Sequence, residues 1–205
     1  MCGRYLAGEE VYEDIWKILT DLAAGGSTLD SQLSTLVKGE VFPTNTAPVI
    51  TPAGAAAVKW GFPHWKSAGV IINARAETAL EKNMFRKPLL EKRCVIPSSG
   101  FYEWDRAGGK KKKDKYLLRR PGEKLLFMAG MINMFRDASG GDYSAFVILT
   151  TAANESVAPI HDRMPVILAP DECGMWLSDD GFMERALHRA GPGLELTIAP
   201  TGISP

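Results

Sequence analysis

Short apolar segments bounded by glycine, proline or charged residues follow one another along most of this 205-residue sequence. Segments of this kind are typical of β-strands joined by tight turns. We predict strands at Cys2 to Leu6, Val58 to Trp65, Val70 to Thr78, Cys94 to Ile96, Phe101 to Trp104, Leu125 to Ile132, Tyr143 to Thr150 and Val166 to Leu168. Three prolines interrupt Val41 to Pro52, so there we predict an extended, irregular surface instead of a central strand.

Two regions have the spacing of amphipathic helices. Between residues 9 and 24, apolar side chains recur at helical intervals until Gly25 and Gly26, which favour a helix end. A pair of helices is predicted from Asp171 to Ala190. With 45% hydrophobic residues, a chain of 205 residues is long enough for one well-buried core and short for two. We therefore expect a single domain over residues 1–205.

Composition limits the classes of partner. The formal net charge is zero, which argues against non-specific binding of a long polyanion, so any nucleic-acid site must be a local patch. The polar N-terminal segment lacks the apolar region of a secretory signal, and no apolar run approaches the roughly 20 residues that cross a bilayer. We therefore expect a soluble, cytoplasmic monomer with no membrane partner.

The three cysteines, Cys2, Cys94 and Cys173, lie far apart in the sequence. Their spacing matches neither a disulfide framework nor a metal site of the CxxC type, so we expect no metal and no cofactor. Cys94 and Cys173 have apolar neighbours and are interpreted as core residues, because free cysteine is among the most buried residue types.

Cys2 differs because it follows the initiator Met1. If Met1 is removed, Cys2 carries an α-amine and a thiol on adjacent carbons, which together form a 1,2-aminothiol. An α-amine has an ordinary pKa near 8, so an appreciable fraction is nucleophilic at neutral pH. Such a pair can attack an acyl carbon or close a thiazolidine ring on an aldehyde. The alternative is an ordinary buried cysteine in a first strand.

Residues with the chemistry of a site occur at three further places in the sequence. In the strand predicted from Val70 to Thr78, Asn73 and Arg75 point to the same side and can face one pocket; Glu77 would pair with Arg75 if that strand continued. Glu103 lies among aromatic residues, a setting that favours general acid or base chemistry, although it could equally be a half-exposed strand residue. His161, on a loop between apolar segments, can exchange protons near neutral pH, or be structural.

Two stretches could contact nucleic acid. VKWGFPHW contains Trp60 on a turn rich in Gly and Pro, where an aromatic ring can stack on an exposed base or simply pack in the core. Residues 105–120 are strongly basic, with Lys110 to Lys113 at a predicted hairpin tip. That patch suits phosphate contact, and a solvated lysine loop is the alternative.

Five motifs, MCGRY, WGFP, NARAET, RCVIPSSGFYEW and HDRMPVIL, occur in this order, within a stretch of similarity from Cys2 to about Leu177. Together they resemble the SOS-response-associated peptidase (SRAP) family, whose members shield abasic sites in single-stranded DNA. The resemblance implies an α+β fold in which a curved, barrel-like and mainly antiparallel sheet forms the core, with peripheral helices. The segment from Phe42 to Pro48 departs from the family's usual Arg-Tyr-Asn-x-Ala-Pro pattern.

The resemblance also implies residue roles. Cys2 would be the covalent nucleophile, with Asn73, Glu103 and His161 as its catalytic partners. The positions that the resemblance places against the DNA backbone are Arg4, Arg75, Trp104, Thr150 and Arg163, and we add Trp60 as a stacking residue.

The function expected on this basis is the covalent shielding of abasic sites in single-stranded DNA through a thiazolidine at Cys2, after self-proteolytic removal of Met1. An aminopeptidase is the alternative route for removing Met1. Schiff-base chemistry of the lyase type would precede ring closure, and the protein would associate with the nucleoid when bound to DNA. Two rival functions are an N-terminal-nucleophile cysteine amidohydrolase and a non-covalent module that binds single-stranded DNA. The sequence shows no signature of an oxyanion hole or an acyl pocket.

Overall fold

The computed structural model describes residues 2–8, 12, 36–64, 66–105 and 113–199. In these ranges the strands are β1 (Arg4–Ala7), β2 (Gly39–Val41), β3 (Thr46–Thr51), β4 (Gly54–Trp60), β5 (Phe62–Pro63), β6 (Val70–Ile71), β7 (Asn73–Arg75), β8 (Arg93–Ser98), β9 (Gly100–Trp104), β10 (Lys115–Arg119), β11 (Leu126–Arg136), β12 (Asp142–Ala152), β13 (Arg163–Pro165), β14 (Ile167–Leu168) and β15 (Glu195–Ile198). The helices are α1 (Asn83–Glu91), α2 (Cys173–Ser178) and α3 (Asp180–His188).

Five strands close into a barrel. Their order is β12, β4, β3, β8 and β11, and β11 pairs back onto β12 to complete the ring. Most of these pairings are antiparallel, whereas β4 runs parallel to β12. The curved, barrel-like and mainly antiparallel sheet expected from the family resemblance is therefore confirmed.

The barrel can close tightly because one glycine lies where three strands meet. A Cβ atom on Gly130 of β11 would lie 2.4 Å from Ile96 Cδ1 and 2.7 Å from the Val147 carbonyl oxygen. Real Cβ atoms do not approach other atoms so closely, so a side chain at this position would push β8 or β12 away from β11.

All six residues of β8 are buried, because both faces of this strand are covered. Cys94 and Ile96 belong to an apolar cluster shared with the second sheet, whereas Val95 belongs to a cluster shared with the helices. Alternation of side chains along a strand places neighbouring residues in these two clusters. Trp176 of α2 fastens the helical layer to β8 by donating its indole N–H to the Cys94 carbonyl at 3.0 Å.

The second sheet has the order β15, β10, β9, β1 and β2. Its central strands bring the start of the chain next to the Glu103 strand, since Arg4 of β1 lies opposite Tyr102 of β9. On β9, Phe101 and Glu103 face one side, while Tyr102 packs with the partly buried Trp104 in a separate small cluster. The side chains of β9 thus alternate between two faces, with Glu103 on the opposite face from Tyr102 and Trp104.

Several sequence-based predictions of secondary structure are confirmed. The strands predicted from Leu125 to Ile132 and from Tyr143 to Thr150 correspond to β11 and β12. These two strands form a long hairpin whose turn lies between Arg136 and Asp142, which are opposite each other. The helix pair predicted from Asp171 to Ala190 corresponds to α2 and α3. The helix predicted for residues 9–24 and most of the Lys110 to Lys113 tip lie outside the described residues.

Two predictions of secondary structure are wrong. The proline-containing segment from Val41 to Pro52 includes a regular, largely buried barrel strand, β3. Between β3 and β8 a single residue pair is in register, Ile50 with Val95. No continuous ladder of hydrogen bonds runs between these two strands, so Pro48, which has no backbone N–H, interrupts none there. The strand predicted up to Thr78 ends at Arg75 and continues as a 3-10 turn. Within the described part of the chain, no helix is long and apolar enough to cross a membrane.

Candidate active site around Cys2

Cys2 lies immediately before β1 and has no solvent-exposed surface. Asn73 of β7 holds its backbone, because Asn73 Nδ2 donates a hydrogen bond to the Cys2 carbonyl oxygen at 2.9 Å. The thiol donates to the Arg4 carbonyl oxygen, with 3.7 Å between Sγ and O. Two residues that are distant in sequence from each other, Cys2 and Asn73, thus form one site.

Burial raises the pKa of the Cys2 thiol, because a thiolate would lose its hydration. The negative charge of Glu103 raises this pKa further. Glu103 is itself buried, with 3% of its surface exposed. At neutral pH the Cys2 sulfur therefore carries its proton. The Glu103 carboxylate, whose charge acts on the thiol, is a candidate base that could accept this proton.

Buried side-chain atoms of this region that have no hydrogen-bond partner include Asn73 Oδ1 and the Tyr5 hydroxyl oxygen. An unsatisfied buried polar atom costs about 1–3 kcal/mol, so a fold retains one mainly where it serves another purpose. Burial, and then the nearby Tyr12 and Cys2, raise the pKa of the Tyr5 hydroxyl, which therefore remains a neutral donor. The surroundings of Cys2 thus offer one unused acceptor and one unused hydroxyl to a bound molecule.

His161 follows a turn at residues 154–160 and is buried, with 4% of its surface exposed. Its Nδ1 atom accepts a hydrogen bond from the Arg163 backbone N–H at 2.9 Å. Asp162 Oδ1 also lies 2.9 Å from the same nitrogen. Nδ1 cannot form both hydrogen bonds at once. When it is unprotonated it accepts from the Arg163 N–H, and when it is protonated it donates to Asp162.

Arg163 forms a bidentate ion pair with Glu77, in which Nη1 lies 2.6 Å from Oε1 and Nη2 2.8 Å from Oε2. The same Nη2 atom donates to the Thr150 carbonyl oxygen at 2.6 Å. The hydrogen bonds from Arg163 lower the pKa of the Glu77 carboxyl. The predicted pairing of Glu77 with Arg75 is therefore wrong: β7 ends at Arg75, and the following 3-10 turn takes Glu77 out of the strand's alternation.

Arg4 belongs to a cluster of charged and aromatic side chains two residues after Cys2. Its guanidinium carbon lies 4.5 Å from the ring centre of Phe42 and 5.1 Å from that of Trp104, distances at which cation–π attraction operates. Arg4 Nη1 donates to Glu40 Oε1 at 3.1 Å. On the other side of that carboxylate, Lys115 Nζ donates to Oε2 at 2.6 Å. Two cations therefore flank a single carboxylate.

The structure separates the residues predicted to contact DNA. Arg75 is exposed, and Arg4 and Trp104 are partly exposed. Trp60, in contrast, is fully buried and donates its indole N–H to the Ile72 carbonyl at 3.1 Å, so it is a core residue and not a stacking surface. Thr150 is also fully buried; its oxygens face Arg163.

The sequence did not point to Glu40, Phe42 or Tyr5 as members of this region. Glu40 and Phe42 lie in and just after β2, which pairs with β1, and only that pairing brings them to Arg4. Lys115 lay within the basic stretch, where nothing distinguished it from its neighbours. Among the described residues, no group of three His, Cys, Asp or Glu side chains is arranged to hold a metal ion.

Solved structures with the same fold cover almost the entire chain. A protein from Bacteroides thetaiotaomicron superimposes with a TM-score of 0.83, covering 98% of this chain and 93% of that protein at 23% identity. A protein from Bordetella bronchiseptica superimposes with a TM-score of 0.76 at 24% identity, covering 97% of this chain and 99% of its own. At these identities the similarity establishes the fold alone.

Curated relatives are more similar in sequence. The abasic site processing protein YoaM of Bacillus subtilis is 41% identical over 126 residues, which are 59% of this chain and 55% of YoaM. YedK of Escherichia coli, with the same descriptive name, is 32% identical over 66% of this chain and 60% of its own length. The match thus spans little more than half the length of each relative. The model of the SOS response associated peptidase family matches residues 1–200. The chain therefore belongs to the SOS response associated peptidase (SRAP) family.

Proposed function

We propose that this protein processes abasic sites in single-stranded DNA by forming a covalent thiazolidine between the sugar aldehyde and Cys2. The observation that carries the proposal is the setting of Cys2: its carbonyl is bound by Asn73, and its buried thiol is within reach of the Glu103 charge. The names of the related proteins YoaM and YedK support the same substrate.

The reaction begins with the loss of Met1, which converts the Cys2 amide nitrogen into an α-amine. An abasic deoxyribose opens to an aldehyde, and the amine adds to its carbonyl carbon. Loss of one water molecule gives an imine. The protein holds the amine, the thiol and the carboxylate close together. Once the aldehyde has bound, imine formation and attack by the thiol therefore need no further encounter between separate molecules.

Ring closure needs the thiol proton to move. The sulfur adds to the imine carbon, forming a C–S bond, and the imine nitrogen gains a proton to become a secondary amine. Burial keeps the thiol protonated, so sulfur cannot act as a preformed thiolate. Glu103 accepts the proton from sulfur and returns it to nitrogen, so no proton is gained or lost overall.

Asn73 and His161 have different tasks in this scheme. Asn73 keeps Cys2 in place through its Nδ2 atom, and its Oδ1 atom is available to accept a hydrogen bond from the new α-amine. His161 supplies a proton to the ring oxygen of deoxyribose as the sugar opens. A bare imine would allow β-elimination and strand cleavage, so closure by the thiol protects the strand.

We propose that the strand approaches across Arg4, Phe42 and Trp104 on one side and Arg75 on the other. Phe42 is 40% exposed, so a base next to the lesion can stack on it. Arg75 supplies a phosphate contact that does not depend on net charge.

The proposal is tested by mixing the purified protein with a single-stranded oligonucleotide that contains one abasic site, followed by denaturing electrophoresis. We expect a heat-stable adduct without added borohydride, and none with an intact oligonucleotide of the same sequence. Equal non-covalent retention of both oligonucleotides, without an adduct, would instead indicate a simple binding module. Release of ammonia from glutamine or cleavage of peptides would indicate an amidohydrolase.

A further inference from the structure

An ion pair crosses the end of β12 next to His161. At this end, β7 runs parallel to β12, with Arg75 opposite Thr150, and β13 runs antiparallel to it, with Arg163 opposite Ala152. Glu77 follows β7 and Arg163 begins β13, so their bidentate contact joins the two strands that flank β12. The Thr150 carbonyl accepts a further hydrogen bond from Arg163 Nη2 at 2.6 Å.

Arg163 is held by this side-chain contact and by its strand pairing with Ala152, and its backbone N–H group donates to His161 Nδ1 at 2.9 Å. A neutral imidazole carries one proton, and the hydrogen bond made by one ring nitrogen decides where that proton lies. An N–H that donates to Nδ1 therefore places the proton on Nε2. In this tautomer Nε2 is the atom able to donate.

Asp162 opposes that arrangement. Its Oδ1 atom lies 2.9 Å from His161 Nδ1 and would favour a proton on that nitrogen. The Asp162 side chain is 71% exposed, so its carboxylate can turn toward water at little cost. The Arg163 side chain is 13% exposed and held by Glu77 and Thr150, so its backbone N–H is the more firmly placed of the two neighbours.

We propose that Glu77 is a positioning residue for His161: through Arg163 it holds a backbone N–H against Nδ1, and so keeps the imidazole proton on Nε2. The role in catalysis rests on the proposed function, in which His161 acts on the sugar ring oxygen. The Nε2–H group donates a hydrogen bond to that oxygen, and the proton is transferred from the doubly protonated ring, whose Nδ1–H donates to Asp162 and stays on the ring afterwards. The tautomer itself can be measured without DNA.

The test is nitrogen NMR of the imidazole rings in the full-length protein, with the His161 signals assigned by their loss in His161→Gln. In the unsubstituted protein we expect an unprotonated Nδ1 and a protonated Nε2. In Glu77→Ala the proton should shift toward Nδ1, which then donates to Asp162. The double variant Glu77→Ala with Asp162→Ala should restore the original tautomer in part, because the competing carboxylate is gone.

Asp142→Asn is the matched control, since it breaks the ion pair with Arg136 at the opposite end of β12. It should leave the His161 signals unchanged. Glu77→Gln, which keeps the size of the side chain, repeats the test if the alanine variant does not fold. The adduct should form about five- to tenfold more slowly in Glu77→Ala, the population change that one hydrogen bond supports.

A ring protonated at Nε2 in a folded Glu77→Ala protein, or in Glu77→Gln where the alanine variant does not fold, would overturn the inference, as would a proton on Nδ1 in the unsubstituted protein. A wild-type protein with the expected tautomer that forms no adduct would leave this positioning intact and overturn the proposed function instead.

Discussion

Cys2 and Cys94 have equally buried thiols in different surroundings. Neither has exposed surface, and burial raises the pKa of both. Cys94 lies on an all-buried strand, with burial as the cause of its shift. The Cys2 carbonyl, in contrast, accepts a hydrogen bond from Asn73, and the charge of Glu103 raises the pKa of the Cys2 thiol further. Burial is therefore common to a packing cysteine and a candidate nucleophile, and the polar neighbours distinguish them.

The surroundings of the two cysteines also differ in how they affect the stability of the fold. Around Cys94 the side chains fill space, and the nearby glycine, Gly130, lets the strands approach. Near Cys2 the fold retains unsatisfied polar atoms on Asn73 and Tyr5, which lower its stability. Such atoms are expected where a site is organised for a bound molecule and not for the unliganded protein alone.

The largest effect should come from exchanging the two cysteines for alanine one at a time. Cys2→Ala should abolish the covalent adduct with abasic single-stranded DNA, because it removes the sulfur that closes the ring. Cys94→Ala should retain it at a rate close to wild type. Denaturing electrophoresis after equal incubation measures both. An adduct of unchanged stability in Cys2→Ala would place the nucleophile elsewhere and remove the distinction drawn between the two thiols.

The next largest effect should come from Glu103→Gln, which removes a charge that acts on Cys2. Adduct formation should slow by about a hundredfold to ten-thousandfold, the range for a positioned acid or base. Rates measured from about pH 5 to 9 should still follow the histidine titration, whereas a His161→Gln protein should lose that acid-assisted part. An unchanged rate in Glu103→Gln would reduce the carboxylate to a packing role.

A smaller effect is expected from Asn73→Ala. This change removes the hydrogen bond to the Cys2 carbonyl and the acceptor proposed for the α-amine, so the adduct should form about tenfold more slowly, as for the loss of one or two hydrogen bonds. Asn133→Ala, at a half-buried position near the end of β11, is the control and should have the wild-type rate. Single-turnover rates at saturating DNA separate this effect from weaker binding.

The smallest effect concerns stability. Cys94→Ala should lower the free energy of unfolding by about 1 kcal/mol, since it leaves a small cavity in a packed strand. Cys2→Ala should cost less, because it removes a thiol whose surroundings are not optimised for packing. Urea denaturation of the two variants provides the comparison, and a larger loss in Cys2→Ala would indicate that its site is stabilising.

The sequence predicted those features that depend on local pattern. Apolar segments and turn residues identified the strands that became β11 and β12, and the family motifs indicated a barrel-like sheet. Features that depend on contacts between distant segments were missed or misjudged. Glu77 pairs with Arg163, 86 residues further along the chain, and Glu40 reaches Lys115 across two intervening strands, β1 and β9. Trp60 looked available for stacking because its buried partners, Tyr5 and Phe146, are distant in sequence.

Cys2 is proposed to give both its released amine and its thiol to one aldehyde. Intact-mass spectrometry of the protein before and after reaction with an abasic single-stranded oligonucleotide tests this directly. We predict that the reactive protein lacks Met1 and that the adduct has the summed mass of protein and oligonucleotide less one water molecule, with the linkage on Cys2 after digestion. An active protein that retains Met1, or a linkage on another residue, would contradict the account.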